Sequence, residues 1–332
     1  MKKIFIVILS LALLVAAEVD KAGTTAAKFL SIGAGSRAIS MGGAFSAVAN
    51  DASAMYWNPS GIARLKRQEI LINHTEWPAD ISYEYMAFVM PMGSQGTFGI
   101  NFSGIFMDDM KTTRYGEEDT GETFGAGSYS LGVSYAVNLT DRFSIGFNGK
   151  YISETIANCH ARGAALDVGT LFDTPFGFRL GAAIVNFGPK LKMTGLDLLF
   201  RADIAPGMAG NNESVNGILE TDDFDLPLLL RVGVSDDLDF GELGRLTWAI
   251  DANNPNDNSE YMNAGVEFSA LNNTVFIRAG ARSLGLSDRE EKYSVGAGVN
   301  FPIVYGSIEV DYAYELMDNL GDIHKYTLRL NF

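Results

Sequence analysis

Tyr326-Thr327-Leu328-Arg329-Leu330-Asn331-Phe332 closes the chain with apolar or aromatic side chains at every second position and polar ones between. A period of two places successive side chains on opposite faces, so this stretch predicts a strand with one greasy and one polar face. The chain stops on an aromatic. Many soluble sheets also end in an alternating strand, so the rest of the chain must decide which way the greasy face points.

The other end supplies an address. Met1-Lys2-Lys3 is followed by an almost uninterrupted apolar run from Ile4 to Val15, then Ala16-Ala17 and Glu18. A basic start, a short apolar stretch and small residues before a polar one predict a secretory signal, cleaved after Ala17. The run is shorter than the roughly 20 residues of a membrane-spanning helix. No Cys follows it, which argues against a lipoprotein signal. No later stretch is long, apolar and uncharged, so any membrane role must use strands.

Composition agrees. With 36 Gly, 21 Phe and 13 Tyr, the chain suits barrel strands, which need small residues at close contacts and aromatics at the interfaces. Cys159 stands alone, so no intramolecular disulfide forms. A net charge of -15 argues against a nucleic-acid partner, which wants Lys and Arg clusters.

Alternation bounded by turn residues predicts fourteen strands, at 69–77, 81–90, 96–105, 126–136, 143–154, 164–172, 178–187, 226–234, 245–253, 261–268, 275–282, 293–301, 306–314 and 324–332. Tyr129, Leu131, Val133 and Tyr135 share one face, with Ser128, Ser130, Gly132 and Ser134 on the other. Phe98, Ile100 and Phe102 oppose Thr97, Gly99 and Asn101. The gaps mostly alternate long and short, as outer loops and periplasmic turns of a bacterial barrel do. The gap 78–80 breaks that rule. The gap 155–163, holding Cys159 and His160, reads as an external loop. The expected fold is all-β: a transmembrane antiparallel barrel of about fourteen strands at 68–332. Such a barrel belongs in the outer membrane, among lipid and lipopolysaccharide. In its likeness to bacterial barrels, the end Tyr326, Leu328, Leu330 and Phe332 is the sorting signal read by the barrel assembly machinery.

Residues 18–67 differ in character, being rich in Ala, Gly and Ser with little alternation. They predict a compact, partly helical hatch inside the barrel. Gly42, Gly43 and Phe45 are its expected close-packing residues, and Asn58, Pro59 and Gly61 its turn into the first strand.

Arg37-Ala38-Ile39-Ser40-Met41-Gly42-Gly43-Ala44-Phe45, Asn50-Asp51-Ala52-Ser53-Ala54 and Tyr56-Trp57-Asn58-Pro59-Ser60-Gly61 resemble the N-terminus of the PorV/PorQ family of outer-membrane proteins. Those barrels are similar to the FadL/TodX transporters. Where the family has Asn-Pro-Ala-Gly-Leu, this chain has Asn58-Pro59-Ser60-Gly61-Ile62. The resemblance implies a fourteen-stranded barrel with an N-terminal hatch, and a role as a type IX-like secretion or surface-attachment component binding exported cargo or translocon proteins. The alternative is a FadL-like channel for uptake of hydrophobic molecules.

Enzyme chemistry is not expected, nor is a cofactor. Gly33-Ala34-Gly35-Ser36-Arg37-Ala38 mimics a dinucleotide-binding glycine run but lacks the preceding strand. His74, His160 and His324 are isolated. Two acidic stretches, Asp108-Asp109 with Glu117-Glu118-Asp119 and Glu122, and Glu220 with Asp222, Asp223 and Asp225, are solvated surface or calcium sites. Leu196, Leu198, Leu199, Phe200, Ile204 and Met208 fall in a long external loop, where they dock a partner or ligand or fold onto the loop's own core.

Overall fold

The computed structural model describes residues 23–116, 120–208, 214–286, 289–319 and 321–332. The expected signal at 1–17 lies outside the described residues, as do Glu117, Glu118 and Asp119.

Fourteen strands form the wall: β1 (Glu69–Trp77), β2 (Ile81–Pro91), β3 (Thr97–Phe106), β4 (Ala126–Thr140), β5 (Phe143–Ile156), β6 (Cys159–Asp173), β7 (Arg179–Phe187), β8 (Leu229–Asp239), β9 (Arg245–Pro255), β10 (Tyr261–Ala270), β11 (Val275–Leu284), β12 (Glu291–Ile303), β13 (Gly306–Met317) and β14 (Ile323–Asn331). Each pairs antiparallel with its neighbour in sequence. β1 and β14 pair from Glu69↔Asn331 to Glu76↔His324, which closes the barrel.

The polar and greasy faces fall as a barrel requires. On β14, Lys325, Thr327 and Arg329 are buried in the lumen, while Tyr326 and Leu328 are exposed on the outside. Ile100, Leu131, Val133, Ile277 and Val310 belong to the same outer apolar belt. Aromatics gather toward its two rims: Phe102 with Tyr129 and Tyr312 with Tyr326 toward the loop end, Phe143 with Phe172 toward the turn end. Apolar area facing outward is favourable only in lipid, and aromatic girdles mark the bilayer interfaces. Among the described residues no helix is long and apolar enough to cross a membrane.

One short gap falls where expected and one does not. β1 and β2 join through only Pro78-Ala79-Asp80, with Ala79 and Asp80 both left-handed at φ 64° and 57°. The stretch 155–163 is no external loop. β5 and β6 meet across Ala157-Asn158, and Cys159 and His160 belong to β6, paired with Ile156 and Thr155. Cys159 is a buried free thiol. Small and charged residues on this part of β6 hide the period of two.

Residues 28–64 fill the lumen. They comprise a 3-10 turn (Lys28–Ser31), α1 (Ser36–Ser40), α2 (Ala54–Trp57) and a second 3-10 turn (Pro59–Arg64). These pieces are too short to be stable alone. Their stability comes from burial: Ile39, Phe45, Met55 and Ile62 pack in one apolar cluster with Leu71, Tyr83, Tyr85 and Val89 of β1 and β2.

Candidate functional site

Irregular backbone inside a barrel must find hydrogen-bond partners, because an unpaired buried amide costs several kcal/mol in a membrane setting. The lumen-facing polar side chains supply them. Asp251 on β9 accepts from the amides of Phe45 and Ser46 at 3.0 and 2.9 Å. Thr327 on β14 accepts from Ser36 N at 2.8 Å, Ser294 on β12 from Gly42 N at 3.1 Å, and Glu69 on β1 from Ala52 N at 2.6 Å.

Ionic contacts hold the same face. Arg37 on α1 meets Glu267 of β10 at two points, and its Nη1 lies 3.1 Å from Asp51 Oδ2. Asp51 in turn pairs with Arg329 at 3.3 Å. Glu267 is shared with Arg278 at 2.6 Å, Arg278 also reaches Asp311 at 2.5 Å, and Arg329 pairs with Glu309. Burial by itself pushes the Asp51 carboxyl up, but Arg329 and Arg37 hold it below the usual carboxylate range. The hatch is thus tied by charge to β10–β14 and by apolar packing to β1 and β2.

Glycines of the wall make room for it. A Cβ on Gly280 would strike Gly42 N, one on Gly265 the Met41 carbonyl, and one on Gly181 the Ser46 carbonyl. Gly42 and Gly43, at φ 67° and 71°, take left-handed backbone where the chain turns against β10 and β11. Phe45 is fully buried, edge-on to Trp57 at 6.3 Å.

Asn58 starts the second 3-10 turn. Its Oδ1 accepts from Ser60 Oγ at 2.6 Å, and its Nδ2 donates to the carbonyls of Ser46 and Thr170 at 2.8 and 3.0 Å. Pro59 occupies the first position of the turn, where no amide is needed. A Cβ at Gly61 would collide with the Ala49 carbonyl. The segment Asn58–Gly61 therefore pins the hatch to the wall, and Leu65 to Gln68 complete the passage to β1.

Phe332 is half-exposed at the turn end, its backbone paired with Gln68. In the loop 188–228, Leu196, Ile204 and Met208 are about 70% exposed, and Leu199 and Phe200 are also exposed, while Leu198 is half-buried. The loop's buried contacts come instead from Leu191 and Leu226, which pack with Phe29 and Leu30 of the first 3-10 turn. Among the described residues no group of three or more His, Cys, Asp or Glu is placed to hold a metal ion. Glu122 pairs with Arg114, and Glu220 with Lys192.

Several cavities border the hatch, two of which lie at opposite ends of it. One, about 850 Å³, opens at the turn end beside Arg64, Lys66, Asn138 and Asp173. The other, about 190 Å³, lies toward the loop end and is bounded by Tyr56, Trp57, Arg231, Tyr261 and Arg282. Nothing in the sequence marked this second chamber.

The wall is irregular between β6 and β7. β6 pairs with β7 only from Asp173↔Arg179 to Leu166↔Phe187, with a register shift between Leu166 and Val168. Asn186 there takes φ 62°. Beyond Leu166 the edge of β6 meets loop chain: Leu191 lies against Gly163, and Thr194-Gly195 pairs with His160-Cys159.

A model of the Uncharacterised protein family (UPF0164) matches residues 7–159. No curated relative matches the chain. The barrel with its hatch is similar to the toluene transporter TodX of Pseudomonas putida, at a TM-score of 0.56 and 12% identity over 90% of this chain and 96% of TodX. The Ralstonia pickettii toluene transporter TbuX gives 0.54 and 14%, over 90% and 97%. A Pseudomonas aeruginosa FadL homologue gives 0.50 and 13%, over 96% and 98%. The fold is the fourteen-stranded, hatch-filled barrel of FadL-type proteins. The PorV/PorQ family suggested by the N-terminal motifs is not among these matches.

Proposed function

We propose that this protein is an outer-membrane channel of the FadL type that admits small hydrophobic molecules past a lumen hatch. One observation carries the reading. Among the described residues the hatch packs across the lumen from β1 and β2 to β10 and β14, while β6 leaves β7 beyond Leu166 and pairs with loop chain instead. A filled lumen beside a broken seam suits solutes that partition into apolar surroundings, and it excludes bulk hydrophilic ones. The likeness to toluene transporters supports the same class of solute. The secretion or attachment role implied by the N-terminal motifs has only the exposed apolar loop residues in its favour.

The test uses cells whose outer membrane excludes the apolar dye N-phenylnaphthylamine. Producing the chain should accelerate dye influx without raising the influx of a hydrophilic solute such as nitrocefin. Correctly inserted protein with no effect on the dye would overturn the channel reading. A parallel rise for both solutes would make the protein a general pore.

A further inference from the structure

We propose that the chamber above α2 is a recognition site for a small aromatic carboxylate, with Arg231 binding its anionic head. This rests on the channel reading and names the class of solute that the channel selects.

The charges around the chamber are nearly all spoken for. Lys28 pairs with Asp257 at 2.5 Å, and Arg282 with Glu291 at 3.0 Å and with Glu315. Arg231 is the exception. It is 5% exposed and, among the described residues, has no carboxylate within ion-pair distance. Its Nη1 donates to the main-chain carbonyls of Tyr56 and Trp57, at 3.1 and 3.3 Å, and the guanidinium also reaches the Tyr56 hydroxyl. The guanidinium lies over both rings, 5.1 and 4.8 Å from their centroids. A buried cation without a counter-charge is costly, since desolvation is offset only by pairing. Carbonyls, ring faces and the Tyr56 hydroxyl offset part of that cost, and the remaining guanidinium N–H groups suit a planar two-oxygen acceptor.

The rest of the chamber fits the body of such a molecule. Tyr56, Trp57 and Tyr261 give aromatic walls, and about 190 Å³ accommodates a single ring with its carboxylate but no long acyl chain. Stacking on aromatic side chains is sequence-neutral binding surface for a flat ring. Neutral arenes would leave Arg231 unpaired, so the site discriminates by charge as well as by shape.

Benzoate is the probe, and benzamide its neutral isostere. Folded protein in detergent is titrated with each by isothermal calorimetry, with heat-modifiability as the check on folding. Benzoate should bind saturably, and benzamide should bind about ten-fold or more weakly, the loss expected for one charge-assisted contact. Arg231→Gln should abolish that preference, and Arg231→Lys should retain part of it. Equal affinity for the two probes, no benzoate binding, or an Arg231→Gln protein that still prefers benzoate would each overturn the site. If Arg231→Gln does not fold, the Arg231→Lys protein decides: it must still prefer benzoate, with weaker binding than wild type. Dye influx in cells is scored separately. Influx without benzoate binding would leave the channel standing and remove the proposed site; binding without influx would do the reverse.

Discussion

Arg37 and Glu267 meet at two points inside the barrel, Nε to Oε2 at 2.8 Å and Nη2 to Oε1 at 2.9 Å. The contact joins the hatch to β10 across 230 positions of sequence. Both side chains are nearly removed from water, so the pair is worth far more as a tie than its surface equivalent.

Arg37→Ala therefore leaves Glu267 short of one partner and Asp51 of another. We expect a loss of about 3 kcal/mol of hatch stability, the usual size for breaking a buried pair. The barrel wall should stay folded and heat-modifiable. Single-channel conductance in planar bilayers should rise above the wild-type level; unchanged conductance would show that the tie does not hold the hatch.

Acid should loosen the same latch. Asp51 has its carboxyl depressed when folded, so its contribution is complete above the unfolded value of about 4 and is lost as pH falls below it. Conductance should climb as the bath is taken from pH 5 toward pH 3. Asp51→Asn should be leaky at neutral pH and lose most of that dependence. Arg37, Arg329 and Ser53 face the carboxylate, and only Asp51 among these four titrates in this range.

The wall glycines should be intolerant of side chains. Gly280→Val places atoms where Gly42 N lies, and Gly265→Val does so at the Met41 carbonyl. Overpacking of this kind costs about 1–3 kcal/mol. The hatch should become cleavable by added protease while the strands resist. Ala substitutions should give the same effect in weaker form, and a hatch that resists protease in both would count against the packing argument.

Assembly should depend on the last residue. Phe332 is half-exposed beside the seam where β14 pairs with β1, and removing it deletes no lumen contact. Deletion or Phe332→Asp should lower the yield of heat-modifiable barrel in the outer membrane, with the remainder aggregated in the periplasm. The purified variant should refold in detergent as well as wild type, which separates a sorting defect from a folding one.

The exposed loop tip should be dispensable for the wall. Replacing Leu196, Ile204 and Met208 by Ser removes apolar surface that is about 70% exposed, so thermal unfolding should shift by no more than about 1 °C. Slower dye influx at equal protein level would assign the tip to solute capture.

The period of two is a local property, and it determined the strands. Each side chain's face follows from its position alone, so Thr327 and Arg329 could be set on one side and Leu328 and Leu330 on the other before any partner was known. Turn chemistry is equally local, which is why Asn58 and Pro59 read as a turn, while the bond from Asn58 to the Thr170 carbonyl of the wall did not. Among the stretches misread, 155–163 lies where the far edge of β6 pairs with loop chain, and its small and charged residues break the alternation. Partners are another matter. Arg278 and Arg282 share a face with each other by spacing, but nothing local says that one meets Glu267 and Asp311 and the other Glu315. Nor could spacing reveal that Gly280 makes room for Gly42, or that Arg231 lacks a carboxylate while its neighbours have one. Those pairings exist only once β1 closes on β14 and brings residues hundreds of positions apart around one short hatch. The alternation of the chain encodes a direction for every side chain, while the identity of its neighbour is set by barrel closure.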